Sequence, residues 1–162
     1  PDHQWHLHNT GQGGGVPGED IANGNMEAVW DQYLGSAQEI MAIIDDGLQI
    51  DHPDLLPNVH MDLNWDYVGA DNDPTPGSND HHGTACAGLG AARGFNGQGV
   101  ASVAPLAGLV GLRLLGAATE VNMADALTRS SQAIDIYSNS WGPLDGGYVL
   151  EGPGPLVMDA LR

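Results

Sequence analysis

The sequence predicts an α/β fold built on a mainly parallel sheet. Three apolar segments, at residues 40–44, 108–115 and 134–141, are typical of buried strands, and helical patterns separate them along the chain. Strands that alternate with helices in this way favour a parallel sheet covered on both faces. A chain of 162 residues, 41% of them hydrophobic, is long enough for one domain with a sizeable core, and it contains no internal repeat.

The helices are predicted from apolar spacing and from residues that end helices. The predicted helices cover residues 26–33, 82–92, 120–132 and 155–161. The second of these, "HGTACAGLGAA", consists mostly of small residues, which indicates close packing against its neighbours. Each strand is therefore followed by a segment able to cover the sheet.

Two segments are predicted to be loops. The stretch "GQGGGVPG" at 11–18 matches neither a P-loop nor a dinucleotide-binding fingerprint, and no strand precedes it, so we interpret it as a flexible loop. Residues 51–80 are rich in Asp, Asn, Pro and Gly, which predicts a long loop that needs a stabiliser.

Charge limits the classes of partner. The formal net charge is −17, and the four basic residues are all arginines. Such a surface repels nucleic acid and anionic membranes and favours cations, either metal ions or basic peptides. An acidic, solvated surface would explain many of these carboxylates but not their clustering. No apolar run approaches the ~20 residues of a membrane span.

Two adjacent aspartates, Asp45 and Asp46, end the first predicted strand. Like charges at the end of a buried segment repel each other and lose solvation, so local stability disfavours them and a function is expected. Ligands of open parallel sheets bind beyond the carboxyl ends of the strands. The third predicted strand runs into "YSNSWGP", so these residues are expected at the same edge of the sheet as the two aspartates. Between the first and third strands lies "NDHHGTACAG", in which a histidine begins a helix. A histidine in that position is, by itself, usually structural or exposed.

Four segments carry a family resemblance. In order and spacing, "AIIDDGLQIDHPDL", "HGTACAG", "NGQGVASVAPLAGLVGLRLL" and "IYSNSWGP" resemble the subtilisin-like serine proteases, from Gln4 onward. The doubled aspartate and "SWGP" resemble the kexin and furin branch, the proprotein convertases and their bacterial relatives. The resemblance implies a three-layer subtilisin-like fold with residues 1–162 as the incomplete N-terminal part of a catalytic domain. It further implies a secreted, periplasmic or extracellular protein, assisted by a propeptide or chaperone.

The resemblance also implies catalytic roles. Asp45 would be the catalytic aspartate and His82 the catalytic histidine, because His82, not His81, begins "HGT". A serine hydroxyl attacks a peptide carbonyl only when an imidazole takes its proton, and that imidazole needs a carboxylate to hold its tautomer. None of the seven serines lies in the family's "GTS" context, so the nucleophile and the oxyanion-hole asparagine are expected beyond Arg162. Cys86 is expected to be a small buried hydrophobe.

Substrate contacts follow from the same resemblance. It implies that the backbone of Ser140, Trp141 and Gly142 pairs with the substrate and forms a wall of its pocket. Asp145 would be the acid at the base of that pocket. Asp46 would face the preceding substrate side chain, and Glu151 would extend the acidic cleft. A carboxylate at the base of a pocket selects Arg or Lys. Because Gly146 and Asn79 replace acids that are common in the branch, cleavage after a basic residue is predicted, and strict dibasic specificity is left open.

Calcium is the expected stabiliser of the acidic loops, since carboxylate, amide and carbonyl oxygens are its ligands. By resemblance, one site would use Asp54, the Asn96 side chain and the carbonyls of Arg93, Gln98 and Val100; a second would use Asp66, Asp71 and Asp73; a third would combine Asp145 with acids outside the chain. The alternative of simple solvation remains open for the second set.

Two functions are therefore compared. The first is the N-terminal half of a calcium-dependent serine endopeptidase that cleaves after basic residues. The second is a noncatalytic, acidic, calcium-binding fragment with the same sheet. If the chain is part of an endopeptidase, its expected partner is the remainder of the catalytic domain, which would carry the serine.

Overall fold

A computed structural model describes residues 3–18, 26–143, 146–148 and 152–162. The helices and strands of these ranges, in chain order, are α1 (Met26–Trp30), β1 (Ile40–Asp45), β2 (Trp65–Asp66), α2 (His82–Ala91), β3 (Gly108–Arg113), α3 (Glu120–Thr128), β4 (Ile136–Asn139) and α4 (Pro155–Ala160). Short 3₁₀ turns occur at Gln12–Gly14 and Leu56–Asn58. None of the helices described is long and apolar enough to cross a membrane.

The four described strands form one parallel sheet in the order β2, β3, β1, β4. Its centre is the pair β1 and β3, which are in register from Ile40 opposite Gly108 to Asp45 opposite Arg113. Because β1 and β3 end together, the side chains at their carboxyl ends lie at one edge of the sheet. The predicted α/β fold with a parallel sheet is confirmed.

The two faces of the sheet bury alternate residues of β1. Ile40, Ala42 and Ile44 belong to a core cluster that includes Ala126 of α3. Ile43 belongs to a second cluster, with Ala87 and Ala91 of α2 and Leu109 of β3. Successive strand side chains point to opposite faces, so the residue after Ile44 points toward α2.

Small residues let α2 approach that face closely. Gly83, Ala87 and Ala91 are the buried residues of α2, and they are four positions apart, on one side of the helix. This arrangement confirms the close packing that the small residues predicted.

The segment predicted as one long loop contains a strand. Trp65–Asp66 forms β2 and pairs in parallel with Leu112 and Arg113 of β3. The buried Asn64 helps to hold this strand, because its Oδ1 accepts a hydrogen bond of 2.8 Å from the amide of Gly111. A two-residue strand has no periodicity, so the sequence pattern could not indicate it.

Several predicted elements are shorter in the structure. The first helix ends at Trp30 rather than residue 33, and α3 ends at Thr128 rather than residue 132, followed by Ser130 with a left-handed φ of 56°. β3 ends at Arg113, after which the amides of Leu114 and Leu115 both donate to the carbonyl of Asp45. The last strand covers only Ile136–Asn139.

Candidate active site

Asp45 and His82 meet at the carboxyl end of β1. Asp45 is the last residue of the strand and points to the α2 face, and His82 is the first residue of α2. The imidazole Nδ1 of His82 lies 2.9 Å from each carboxylate oxygen of Asp45. The structure thus brings together the two side chains that the sequence analysis paired.

The Asp45 carboxylate is enclosed, with the residue 1% exposed. Besides His82, it accepts a hydrogen bond of 2.8 Å at Oδ1 from the amide of Asp46. A buried carboxylate held by hydrogen bonds keeps a fixed orientation, and it can stabilise a positive charge on the imidazole beside it.

The His82 side chain is open to solvent on its other side, with 56% of it exposed. The hydrogen bond with Asp45, followed by the charge of that carboxylate, raises the pKa of His82 above the ordinary 6.5. In the neutral ring, the hydrogen on Nδ1 faces Asp45 and the lone pair is on Nε2. The ring can therefore take a proton from a group placed at Nε2.

Asp46 contacts the backbone at the start of α2. Its Oδ2 accepts a hydrogen bond of 3.0 Å from the amide of His82, and its Oδ1 accepts one of 2.7 Å from the amide of Gly83. The two adjacent aspartates therefore bind the same histidine, one at its ring and one at its backbone.

Gly83 was not identified from the sequence, although the site depends on it. A Cβ at this position would overlap the carbonyl oxygen of Gly47 and lie 2.8 Å from the Cβ of Asp45. Only glycine lets α2 start this close to the end of β1.

Arg113 was also missed. At the end of β3, its guanidinium lies 3.1 Å from the Asp66 carboxylate and 3.8 Å from that of Asp80, and its Nε donates to the carbonyl of Asp46 at 3.3 Å. It thus links Asp46, directly after β1, to Asp80 in the segment that leads into α2. The available signal was its place at the end of a buried strand, on the same face as Asp45.

Cys86 lies beside the imidazole. Its Sγ is 3.8 Å from Nε2 and 3.9 Å from Nδ1 of His82. The cysteine is half-buried rather than fully buried as expected. Burial raises the pKa of its thiol, which keeps the thiol protonated at neutral pH.

No serine completes the pair. All seven serines lie within the described ranges, and none of them hydrogen-bonds His82. His81 is exposed, as expected.

The segment expected to contact substrate follows β4. Ser140 and Gly142 are exposed and Trp141 is half-buried. Trp141 and Gly142 line a cavity of about 500 Å³ together with Leu115, Met123 and Val157. The two acids assigned to this cleft, Asp145 and Glu151, lie outside the described residues.

The first predicted calcium set is assembled around Asp54, which is 2% exposed. Its carboxylate accepts hydrogen bonds from the Asn96 side chain at 2.7 Å and from the Val100 amide at 2.9 Å. The Arg93 amide donates to its carbonyl at 2.8 Å, and the Gln98 amide donates to the Asn96 side chain at 3.0 Å. These residues therefore meet through amide groups that donate to Asp54 or Asn96, and the side-chain oxygens of Asp54 and Asn96 are of the type that calcium binds.

The second predicted set does not meet in this way. Within the described ranges, one group of three His, Cys, Asp or Glu side chains has ligand atoms within 4.8 Å of one another. This group is Asp45, His82 and Cys86, and it includes no member of the second set. Three carboxylates were expected to form this set, and each has another partner: Asp66 binds Arg113, Asp71 accepts the amide of Asp73, and Asp73 accepts the hydroxyl and amide of Thr75. This arrangement does not fit a metal held by all three, and the third set depends on Asp145, outside the described residues.

A parallel sheet with an Asp–His pair at its carboxyl edge is the arrangement expected of the subtilisin-like class. The model of the subtilase family (Peptidase S8) matches residues 36–159. The chain belongs to the subtilase family.

Curated relatives and solved structures agree with this assignment. The chain is 41% identical over 160 residues to furin-like protease 2 of Drosophila melanogaster, covering 97% of this chain and 9% of that protein. It is 42% identical over 160 residues to endoprotease bli-4 of Caenorhabditis elegans, covering 97% and 16%. The serine protease of Aeromonas sobria superposes with a TM-score of 0.72 at 34% identity, covering 86% of this chain and 24% of that one.

The chain therefore spans well under half the length of these relatives. At 20% identity and a TM-score of 0.61, fervidolysin of Fervidobacterium pennivorans supports the fold alone.

Proposed function

We propose that this chain supplies the aspartate and the histidine of an Asp-His-Ser serine endopeptidase. The observation that supports the proposal most strongly is the 2.9 Å contact between Asp45 and His82 Nδ1, which leaves Nε2 as the acceptor. Asp45 is buried and His82 half-exposed, so the carboxylate is enclosed while the imidazole side chain remains accessible. The serine would come from polypeptide outside this chain.

The reaction follows from this geometry. His82 Nε2 takes the proton of the serine hydroxyl while the serine oxygen bonds to the peptide carbonyl carbon, and Asp45 stabilises the resulting imidazolium. The imidazolium then returns the proton to the leaving nitrogen as the C–N bond breaks. Water, deprotonated by the same nitrogen, releases the acyl group and restores the serine.

Cleavage after Arg or Lys is the proposed specificity. The net charge of −17 favours basic peptides, and the segment with Ser140, Trp141 and Gly142 would pair with them. Asp145 at the pocket base and Glu151 in the cleft would bind the basic side chain. The relatives named above, a furin-like protease and an endoprotease, support the same reaction class.

Calcium is the proposed stabiliser of the loop that surrounds Asp54. Asp54, the Asn96 side chain and the carbonyls of Arg93, Gln98 and Val100 would hold it, and its charge would offset acidic repulsion. We further propose that the protein acts outside the cytoplasm and folds with help from a propeptide or a chaperone. One neighbouring structure is the Aeromonas sobria protease in complex with its chaperone.

The test combines cleavage with active-site labelling, in a polypeptide that carries this chain and the proposed serine. We expect cleavage of peptides with Arg or Lys before the scissile bond, and labelling of one serine by a fluorophosphonate probe. His82→Ala should abolish both, and the neighbouring exposed His81→Ala should retain both. Full cleavage by His82→Ala would overturn the proposal.

The noncatalytic alternative has one observation in its favour, namely that none of the seven serines bonds His82. Absence of both labelling and cleavage, with calcium present, would support a calcium-binding fragment with a subtilase fold.

A further inference from the structure

We propose that Asp46 is a positioning residue that fixes the backbone of His82. The inference rests on the proposed function, because it concerns how the histidine of that site is held. Sequence resemblance points to a different role for Asp46, contact with a substrate side chain, and the structure gives its carboxylate two partners within the chain itself.

The first argument is the need for an acceptor. The first amides of a helix have no carbonyl partner within the helix. His81 precedes α2, and its side chain makes no hydrogen bond to the helix start. The carbonyl of His81 accepts from the amide of Ala85, one turn further along the helix. The amides of His82 and Gly83 are instead bound by Asp46, from 36 and 37 residues earlier in the chain.

The second argument is that Asp46 is itself held. Its amide donates to Asp45 Oδ1 at 2.8 Å, and its carbonyl accepts from Arg113 Nε at 3.3 Å. The backbone of Asp46 is therefore held on both sides, at its amide and at its carbonyl.

Together the two carboxylates fix His82 at two points. Asp45 holds the ring at Nδ1, and Asp46 holds the backbone amide of the same residue. With the backbone free, the ring could keep its bond to Asp45 while Nε2 moves relative to the serine. Misplacement of a reacting group by about 1 Å costs a rate factor on the order of 100.

Kinetics separate positioning from substrate reading. The experiment compares two variants of Asp46, Asp46→Ala and Asp46→Asn, with a control at an exposed aspartate, Asp62→Asn. Each is tested on two peptides that have Arg before the scissile bond. One peptide has a basic residue just before that Arg, and the other has a neutral residue there. Positioning predicts that Asp46→Ala lowers kcat by about 10- to 100-fold on both peptides, with little change in KM. Asp46→Asn should be intermediate, because its amide oxygen can still accept from one of the two amides, and Asp62→Asn should match the parent.

A loss confined to the peptide with the basic residue, with kcat on the neutral peptide unchanged, would overturn the inference and leave Asp46 as a substrate contact only.

Hydrogen exchange tests the same contacts without activity. In the parent, the amides of His82 and Gly83 should be protected, unlike ordinary first-turn amides. In Asp46→Ala they should exchange at least about 10-fold faster, while Ala87 in the middle of α2 is unaffected. Unchanged exchange at His82 and Gly83 would overturn the inference.

The exchange result stands even for a parent that cleaves no peptide, which would overturn the proposed function alone. If Asp46→Ala unfolds, seen as fast exchange at Ala87, the Asn variant decides by the same two measurements.

Discussion

Asp45 and Asp46 carry like charges on consecutive residues, yet each has its own hydrogen-bond donors. Asp45 binds the His82 ring, and Asp46 binds the amides that follow it. Charge-assisted hydrogen bonds offset the cost of removing a carboxylate from water. The pair that local stability disfavours is thus stabilised by a helix start far away in the sequence.

The raised pKa of His82 leads to a pH prediction. A protonated imidazole has no lone pair at Nε2, so activity should be lost as the pH falls through that pKa. Because the hydrogen bond with Asp45 raises the pKa, we expect the acid limb of kcat/KM to lie above pH 6.5. A pH–rate profile on a peptide with a P1 Arg measures it.

In Asp45→Asn the charge is removed, so the limb should move to lower pH while kcat falls by about 10³- to 10⁴-fold. A parent limb at or below 6.5, or a limb that does not move in the variant, would contradict this account.

At the scale of elements, α2 carries the histidine and its small face sets the distance to β1. Gly83, the buried residue nearest the site, faces the carbonyl of Gly47 and the Cβ of Asp45. Close approach of this kind tolerates no side chain, although an alanine would favour the helix locally.

We therefore expect Gly83→Ala to displace the start of α2 and to reduce kcat by about 100-fold or more. Gly88→Ala, on the same helix, is the matched control, since its Cβ would have only Val100 nearby, at 3.9 Å. The control should retain activity and gain up to about 1 kcal/mol of stability. Equal activity in the two variants, measured as kcat on one peptide, would show that close approach at Gly83 is unimportant.

β3 also contributes a long-range contact, the ion pair between Arg113 and Asp66. The Arg113 side chain is 20% exposed and its partner Asp66 is 5% exposed, so the pair is largely removed from water. Loss of one partner from a buried pair leaves an uncompensated charge.

Arg113→Met should lower the free energy of unfolding by on the order of 3 kcal/mol. Arg162→Met, which breaks an exposed pair with Asp159 at 73% and 70% exposure, should change it by less than about 0.5 kcal/mol. Urea unfolding of both variants makes the comparison. Similar values for the two would mean that the Arg113 pair contributes no more than a surface pair.

For the molecule as a whole, excess negative charge opposes compaction. A net charge of −17 repels itself, and bound cations would reduce that repulsion. The buried Asp54 carboxylate, which accepts hydrogen bonds from the Asn96 side chain and the Val100 amide, is the proposed place for such a cation.

Calcium should raise the Tm, by an amount equivalent to about 2.7 kcal/mol at a concentration 100 times the Kd. Asp54→Asn should remove most of this response, and the exposed Asp51→Asn should keep it. Thermal unfolding with calcium or with a chelator measures both. A parent without any calcium response, or an Asp54→Asn variant with a full response, would rule out the proposed site.

Much of the fold and the central pair of the site could be predicted from local pattern. Runs of aliphatic residues marked β1 and β3, and the small residues of 82–92 marked a closely packed helix. Alternation along β1 puts Asp45 on the α2 face, and the family resemblance paired it with His82. The short β2, the early end of α3 and the half-buried state of Cys86 were not predicted, because they depend on contacts outside any local pattern.

The sequence by itself determined the three longer strands and the helices between them, the acidic charge and the two residues of the central pair, since these follow from periodicity, composition and motif. Only the tertiary structure decided that Asp46 binds the start of α2, that Gly83 must be small and that Arg113 joins Asp46 to Asp66. These contacts join residues 36 to 67 positions apart. Local patterns extend over a few residues, whereas such contacts form only when packing of the sheet and α2 brings distant segments together.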